Sequence, residues 1–520
     1  MTASWDPPVE LSKKEQFIVK RCGKRRVFVF LRELRHRIFD AEMQARLSAA
    51  YERAERVPAA QLGLATLLQA ALGVPDHEAV ELTVMDLRWQ MVLGCLGTEE
   101  PLFSQGTLFN FRQRLIEHDL DRELLDKTVK LARETGGFSA AALRAAFDAS
   151  PLWGAGRVED TFNLIGRAAM HVVRTAAERA GRPFGEVARE AGIPVVAATS
   201  IKTGLDIDWD DPRARKLALT KLVSQIRALG AWLEREVGAG LAEPPLKEQW
   251  ALVEKLIAQD TEPDPEDGGR RITHGVAKDR RISVSDGEMR HGRKTKRKRI
   301  DGFKRHVAID LDTPGVICTV ALTPANQPER VAASELFAGL ESQGSRVTEL
   351  FIDRGYLGDD AIEARREAGM RVHCKPFPLR NGALFHKGDF HLDLERRVIR
   401  CPNDVEVPLV VGTTAHFPAD ACRACPKRAA CTRARIERGR SLNIHANEAF
   451  FIELRAAAKS PEGRKNLRKR VAVEHSLAAV HHRQGDRARY RGLRKNLFDL
   501  RRCAAVTNLT VLDQLNRLAA

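Results

Sequence analysis

FKRHVAIDLDTPGVICTVAL, residues 303–322, reads as two β-rich runs, 303–310 and 315–322, joined by the turn LDTP. Alternating and β-branched residues on both sides of such a turn predict an antiparallel hairpin. Beyond it, Glu329–Leu340 has helical spacing, VTELFID (347–353) reads as a buried strand ending at Asp353, Asp359–Glu367 as a helix and RVHCKPF (371–377) as a strand. Before it, LRAAFDA (143–149) reads as a short strand with Asp148 near its end, followed by the Gly-containing loop SPLWGAGRVEDT. Strand, hairpin, helix, strand, helix, strand is the order of a mixed α/β sheet. Residues 161–260 are strongly helical, including Arg213–Val237, and interrupt that sheet between its first and second strands; the acidic TEPDPEDGG (261–269) then reads as a linker.

Residues 25–135 read as helices over 29–47, 60–72, 77–96, 104–118 and 121–134. Within them FSQGTLFNFRQRLIEH has the outline of a helix-turn-helix, with Arg112 and Arg114 as reading residues, an outline also common in helical bundles. A chain of 520 residues with 43% hydrophobic content predicts two to four domains. No segment has the roughly 18 apolar residues of a membrane span, and MTASWDPPVELSKKEQ lacks a secretory layout, so a cytoplasmic protein with no membrane partner is expected. The net charge of +16 is concentrated: residues 290–305 hold nine Lys/Arg against Asp301, and residues 460–502 hold thirteen against four acids. Two basic stripes favour a nucleic-acid surface over generic solubility, the bland alternative being solvated helix faces.

RKNLRKRVAVEHSLAAVHHR (464–483) holds one acid, Glu474, with Arg470, Glu474 and His481 at helical spacing. A carboxylate inside a polyanion-binding surface is understandable if a divalent cation sits between them. Asp148 and Asp353 each stand at a strand end, where functional carboxylates collect, although an isolated turn or Asx cap explains either one equally. Three such acids suit two Mg²⁺ or Mn²⁺ ions about 3.5–4 Å apart. Asp286 and Glu288 are the spare acids.

In order, FDASPLWGAGRVEDT, EMRHGRK with DGFKRHVAID, ELFIDRGYLG, and VEHSLAAVHHRQGDRARYRGLRKNLFDLRR resemble a bacterial insertion-sequence DDE transposase of the IS eleven-eighty-two type, from about residue 20 to the end. The resemblance implies a ribonuclease-H-like core in which Asp148, Asp353 and Glu474 are the catalytic acids that hold the two ions. It implies double-stranded DNA as partner, namely transposon ends and target; pairing two element ends makes a homodimer in the DNA complex a reasonable hypothesis. Related transposases carry a tyrosine seven residues before the third acid, an arginine four before and a lysine seven after. Here these positions are Leu467, Arg470 and His481, so only the arginine matches. Candidate DNA contacts are Arg293, Lys294, Lys296, Arg297, Lys298 and Arg299 in the first stripe, and Arg470, His481, Arg483, Arg487, Arg489 and Arg491 in the second. The alternatives are a DNA nuclease of the same fold that cuts without joining, and an inactive transposase-derived DNA-binding protein.

Of nine cysteines, four are spaced Cys401-x20-Cys422-x2-Cys425-x5-Cys431. That spacing suits a structural Zn²⁺ site; it also resembles fragments of iron–sulfur ligand runs, and four unrelated cysteines are the bland reading. The expected organisation is therefore an α/β protein: a helical N-terminal DNA-binding domain (1–137), the first strand and loop of the core (138–160), a helical insertion with its linker (161–269), the core (270–377), a cysteine-bearing insertion (378–445), and C-terminal core helices with Glu474 (446–520).

Overall fold

The computed structural model describes residues 4–51, 56–134, 140–294, 297–313 and 315–519. Its N-terminal part is eight helices: α1 (Lys13–Cys22), α2 (Val27–Ile38), α3 (Ala41–Ala49), α4 (Ala59–Leu72), α5 (Asp76–Met85), α6 (Leu87–Leu93), α7 (Gln105–Glu117) and α8 (Leu120–Glu134). The helix expected over 29–47 breaks because Asp40 caps a new one, its carboxylate accepting from the Met43 amide at 3.0 Å. Asp86 divides 77–96 in the same way, accepting from the Arg88 amide.

The helix-turn-helix expectation fails at Gly106. Ser104 caps α7 by accepting from the Thr107 amide, so the glycine lies inside the helix and makes no turn. Arg112 is buried and donates to Asp76 at 2.7 Å, while Arg114 lies over the Tyr51 ring. These arginines are held within the bundle.

The sheet begins with β1 (Leu143–Trp153). A helical block follows: α9 (Thr161–Ala180), α10 (Phe184–Glu190), α11 (Ile201–Leu205), α12 (Pro212–Glu236) and α13 (Leu246–Asp260). The linker expected at 261–269 is partly a small hairpin, β2 (Thr261–Pro263) with β3 (Arg270–Ile272). Then come β4 (Arg290–Arg293), β5 (Arg299–Asp310), β6 (Ile317–Pro324), α14 (Ala333–Ser342), β7 (Val347–Ile352), α15 (Asp360–Glu367) and β8 (Arg371–Cys374). The main sheet has the order β6–β5–β1–β7–β8, with β4 continuing β6's edge of β5. β5 pairs antiparallel with β1, β4 and β6, whereas β1–β7 and β7–β8 are parallel. The hairpin read from 303–322 is β5–β6.

The cysteine-bearing insert contains β9 (His391–Asp393), β10 (Val398–Arg400), β11 (Glu406–Pro408), β12 (Thr414–His416), the short helices α16 (Ala419–Arg423) and α17 (Arg428–Cys431), and β13 (Ser441–Asn443). Four helices end the chain: α18 (Glu448–Lys459), α19 (Pro461–Lys469), α20 (Val471–Gln484) and α21 (Leu493–Ala519).

Strand alternation decides what covers each face. Ala145, Phe147, Ala308 and Leu350 join the core under α14 and α15, while Ala146, Leu152, Val307 and Phe351 join the core under α20 and α21. The second core is continuous with the N-terminal helices through α21. Asn508 accepts from the Ile317 amide and donates to the Ile317 carbonyl and to Thr128 Oγ1, tying α21 to β6 and α8. The N-terminal helices expected as a separate domain thus share one interior with the sheet. The helical block has a core of its own, from Phe162 to Leu256, and the cysteine-bearing insert has a small one. No helix among the described residues is long and apolar enough to cross a membrane.

Candidate active site and nucleic-acid surface

Asp148 lies in mid-strand, not at the strand end expected from LRAAFDA. β5 accompanies β1 as far as Trp153, but β7 pairs with it only as far as Ala146. From Asp148 to Leu152 that edge of β1 has no strand partner, and at Trp153 it bridges in parallel to Arg487; the Asp148 side chain stands on the face covered by α20. β7 ends at Ile352, and the Asp353 carboxylate turns back to accept from the Gly355 amide at the start of a 3₁₀ turn. Glu474 sits in the first turn of α20.

Arg470, at the junction of α19 and α20, joins two of these acids. Its Nη1 is 3.0 Å from Asp148 Oδ2 and its Nη2 is 2.8 Å from Glu474 Oε1. The Asp148 side chain is 16% exposed and that of Glu474 52%, so the cluster opens to solvent on the helix side. Burial pushes the Asp148 carboxyl upward; Arg470 pulls it down, and Asp353 and Glu474 push it up again. Asp148 and Glu474 thus share one guanidinium, and Asp353 is close enough to repel the Asp148 charge.

A fourth acid was not identified from the sequence. Glu329, shortly after β6, borders the same side of Gly355 as Asp353: a side chain at that glycine would collide with the Glu329 carboxylate and crowd that of Asp353. Burial raises the Glu329 carboxyl, with Asp353 and Asp148 adding repulsion and Lys304 and Lys294 opposing it. Its only sequence signal was an acid shortly past a strand end, the criterion that had selected Asp353. Behind the acids, Tyr356 shares a hydrogen bond of 2.8 Å with His306 Nδ1, and His306 Nε2 another of 2.9 Å with Thr323 Oγ1. Burial pushes the His306 imidazole down to about 3 and raises the Tyr356 hydroxyl.

Arg305, fully buried on β5, holds α20 to the sheet. It donates to Ser150 Oγ (2.9 Å), the Pro151 carbonyl (2.9 Å), Gln484 Oε1 (3.0 Å) and the Gly485 carbonyl (3.1 Å), and contacts His481 Nδ1 (3.0 Å). Burial lowers its pKa to about 10. The guanidinium thus locks the C-terminal end of the Glu474 helix against the strand of Asp148.

The spare acids have other partners. Asp286 is buried, accepting from the Met289 and Gly492 amides, and Glu288 accepts from the Leu493 amide at the start of α21. Of the expected DNA contacts, Arg293, Lys294, Arg297, Lys298 and Arg299 lie exposed on the β4–β5 hairpin, while Lys296 falls outside the described residues. Arg483 is turned inward, donating to Thr507 and Thr510 of α21, because α20 packs on α21 along that side. His481 is engaged by Arg305 and by Asp486, 3.2 Å away. Arg487, Arg489 and Arg491 are exposed, Arg487 donating to the Gly154 carbonyl.

Two cavities flank this end of the sheet. One of about 660 Å³ is lined by Arg280, His291, Arg293, Arg299 and Lys304, between the helical block and the β4–β5 hairpin. The other, about 740 Å³, is lined by Trp153, Arg157, Arg167, His171, Arg487 and Arg491. Arg293 and Arg299 in the first and Arg487 and Arg491 in the second have the chemistry of phosphate contact, whereas Arg280 and Arg167 are paired with Asp260 and Glu159.

Among the described residues, no three His, Cys, Asp or Glu side chains are set to hold a metal ion as they stand. At the acids, Arg470 takes the place of a cation between Asp148 and Glu474. The donor set nevertheless suits one: hard carboxylate oxygens that repel one another and share one bidentate counter-charge. The four cysteines all line a single cavity of about 30 Å³ in the insert, and all are free thiols.

A family model described as a transposase DDE domain matches residues 401–512, a stretch that contains the four cysteines, Arg470 and Glu474. No curated protein and no solved structure matches the chain. The match supports a DDE transposase, a family of enzymes that cleave and join DNA and use divalent metals.

Proposed function

We propose that the protein is the transposase of an insertion sequence, cutting DNA at the element ends and joining the freed 3′-hydroxyl to a target strand. The observation that carries this reading is the meeting of Asp148 and Glu474 on the two amino nitrogens of Arg470, with Asp353 beside them. The strand order β6–β5–β1–β7–β8, antiparallel on one side of β1 and parallel on the other, supports a ribonuclease-H-like core.

Asp148, Asp353 and Glu474 would hold the divalent cations, Mg²⁺ or Mn²⁺, which when bound supply activation of the attacking oxygen and charge stabilisation at the phosphate. The chain's own residues position the strand. Arg470 neutralises the acids in the free protein and presents its guanidinium where a backbone phosphate arrives, a bidentate partner it also suits. The β4–β5 hairpin and the Arg487–Arg491 segment grip phosphates on either side of the acids. Tyr356, His306 and Thr323 form a rigid, uncharged support behind Asp353.

The test is a strand-transfer assay with a 3′-hydroxyl oligonucleotide donor carrying the element end, plus Mg²⁺. Joined product from the wild type, and none from Asp353→Asn, is expected. Cutting without joining would replace this reading with a nuclease; cleavage by Asp353→Asn at the wild-type level would overturn the assignment of the acids.

A further inference from the structure

Two buried guanidinium nitrogens in the cysteine-bearing insert have no acceptor. Arg428 Nη1 and Arg440 Nε are excluded from solvent and lack a hydrogen-bond partner among the described residues. Both arginines line the roughly 30 Å³ cavity, together with Lys427 and with Cys401, Cys422, Cys425 and Cys431. A buried charged donor without an acceptor is destabilising, and a neutral thiol is only a weak acceptor. Thiolates would meet the demand. Four adjacent thiolates, however, repel one another unless a cation lies among them.

We propose that Cys401, Cys422, Cys425 and Cys431 bind one Zn²⁺ ion as thiolates, with Arg428 and Arg440 donating to the sulfurs. Binding forms four Zn–S bonds and releases the thiol protons to solvent, with no change of oxidation state. The complex carries two negative charges, which the two guanidinium groups offset inside the insert. Two backbone donors are already in place: the Asn403 amide lies 3.3 Å from Cys401 Sγ and the Arg440 amide 3.4 Å from Cys422 Sγ. A cavity of this size has room for a single small ion, and side-chain rotation closes the sulfurs onto it at about 2.3 Å.

The fold of the insert supplies the reason for such a site. Its strands are three residues long, and its core consists of Phe390, Ile399, Val407, Leu409, Ala415, Phe417, Leu442 and Ile444. So small an interior does not ordinarily sustain a fold without a cross-link, and the thiols form no disulfide. Cys401 lies beside β10, Cys422 within α16 and Cys431 at the end of α17, so one ion ties these three segments together.

The full chain, purified without chelator under reducing conditions, is expected to contain one zinc per chain by elemental analysis, released on titration with a mercurial. Cobalt exchanged into the same protein should show the thiolate charge-transfer and ligand-field bands of a tetrahedral site. Cys422→Ser and Cys425→Ser should lose the zinc, whereas Cys95→Ser and Asp353→Asn should keep it; the last variant separates this site from the acid cluster. Wild-type protein that holds under about a tenth of an equivalent of zinc and shows no cobalt–thiolate bands would overturn the proposal. So would iron with acid-labile sulfide, or zinc retained when both Cys422 and Cys425 are replaced.

Discussion

Asp148 sits between a strand that keeps pairing and one that has ended, so its carboxylate is half-enclosed, with an arginine as nearest charge. Burial and two neighbouring acids push it toward protonation, against Arg470 and the Ala149 amide. Asp148→Asn and Glu474→Gln are each expected to lower strand cleavage by at least about 10²-fold, the scale at which single groups that stabilise developing charge act. DNA affinity, measured by fluorescence anisotropy without added metal, should be unchanged or higher, because a negative charge has gone. His306 makes a prediction for pH. It is buried neutral and titrates at about 3, against 6.5 when unfolded. Below pH 6.5 the unfolded chain binds a proton that the native protein refuses, so stability present above that pH is lost as pH falls toward 3. The slope is up to about 1.4 kcal/mol per pH unit. Urea unfolding at pH 7 and pH 5 should show it, and His306→Gln should flatten the difference.

At the scale of elements, α20 is placed by its C-terminal end. Arg305 ties Gln484 and Gly485 to Ser150 and Pro151, and thereby sets Glu474, at the opposite end of α20, over Asp148. Arg305→Ala leaves several buried acceptors unpaired and should destabilise the protein by about 3 kcal/mol, read from denaturant midpoints. α7 illustrates the opposite case. Arg112, which the pattern FSQGTLFNFRQRLIEH offered to DNA, is enclosed against Asp76 and Gln69. Arg112→Ala should lower the melting temperature and leave DNA affinity within about twofold, since a removed phosphate contact would instead weaken binding and its salt slope.

Over the whole molecule, the two basic stripes reach the surface only in part: Arg293 and Arg299 line one cavity and Arg487 and Arg491 the other, while Arg305 and Arg483 are engaged in the interior. The logarithm of DNA affinity should fall linearly with the logarithm of salt concentration, and Arg293→Ala with Arg299→Ala should reduce that slope by about 0.9 per lost phosphate contact. An unchanged slope would remove the β4–β5 hairpin from the interface.

Local pattern was enough for the β5–β6 hairpin, the strands ending at Ile352 and Cys374, the helical block and the spacing of the cysteines, because each is specified by neighbours in the chain. It also singled out Asp148, Asp353 and Glu474 as candidates, and the structure brings Asp148 and Glu474 onto one arginine. Local pattern gave Glu329 only a place shortly past a strand end, and gave Arg305 and Tyr356 no role within their motifs; those roles come from distant strands packed together. Nor did it reveal that Arg483 faces α21, or that β1 continues past Asp148 while β7 does not. Alternation and helical spacing report which residues seek the interior. Which buried charges meet there depends on register and on long-range packing, and only the tertiary structure decides that.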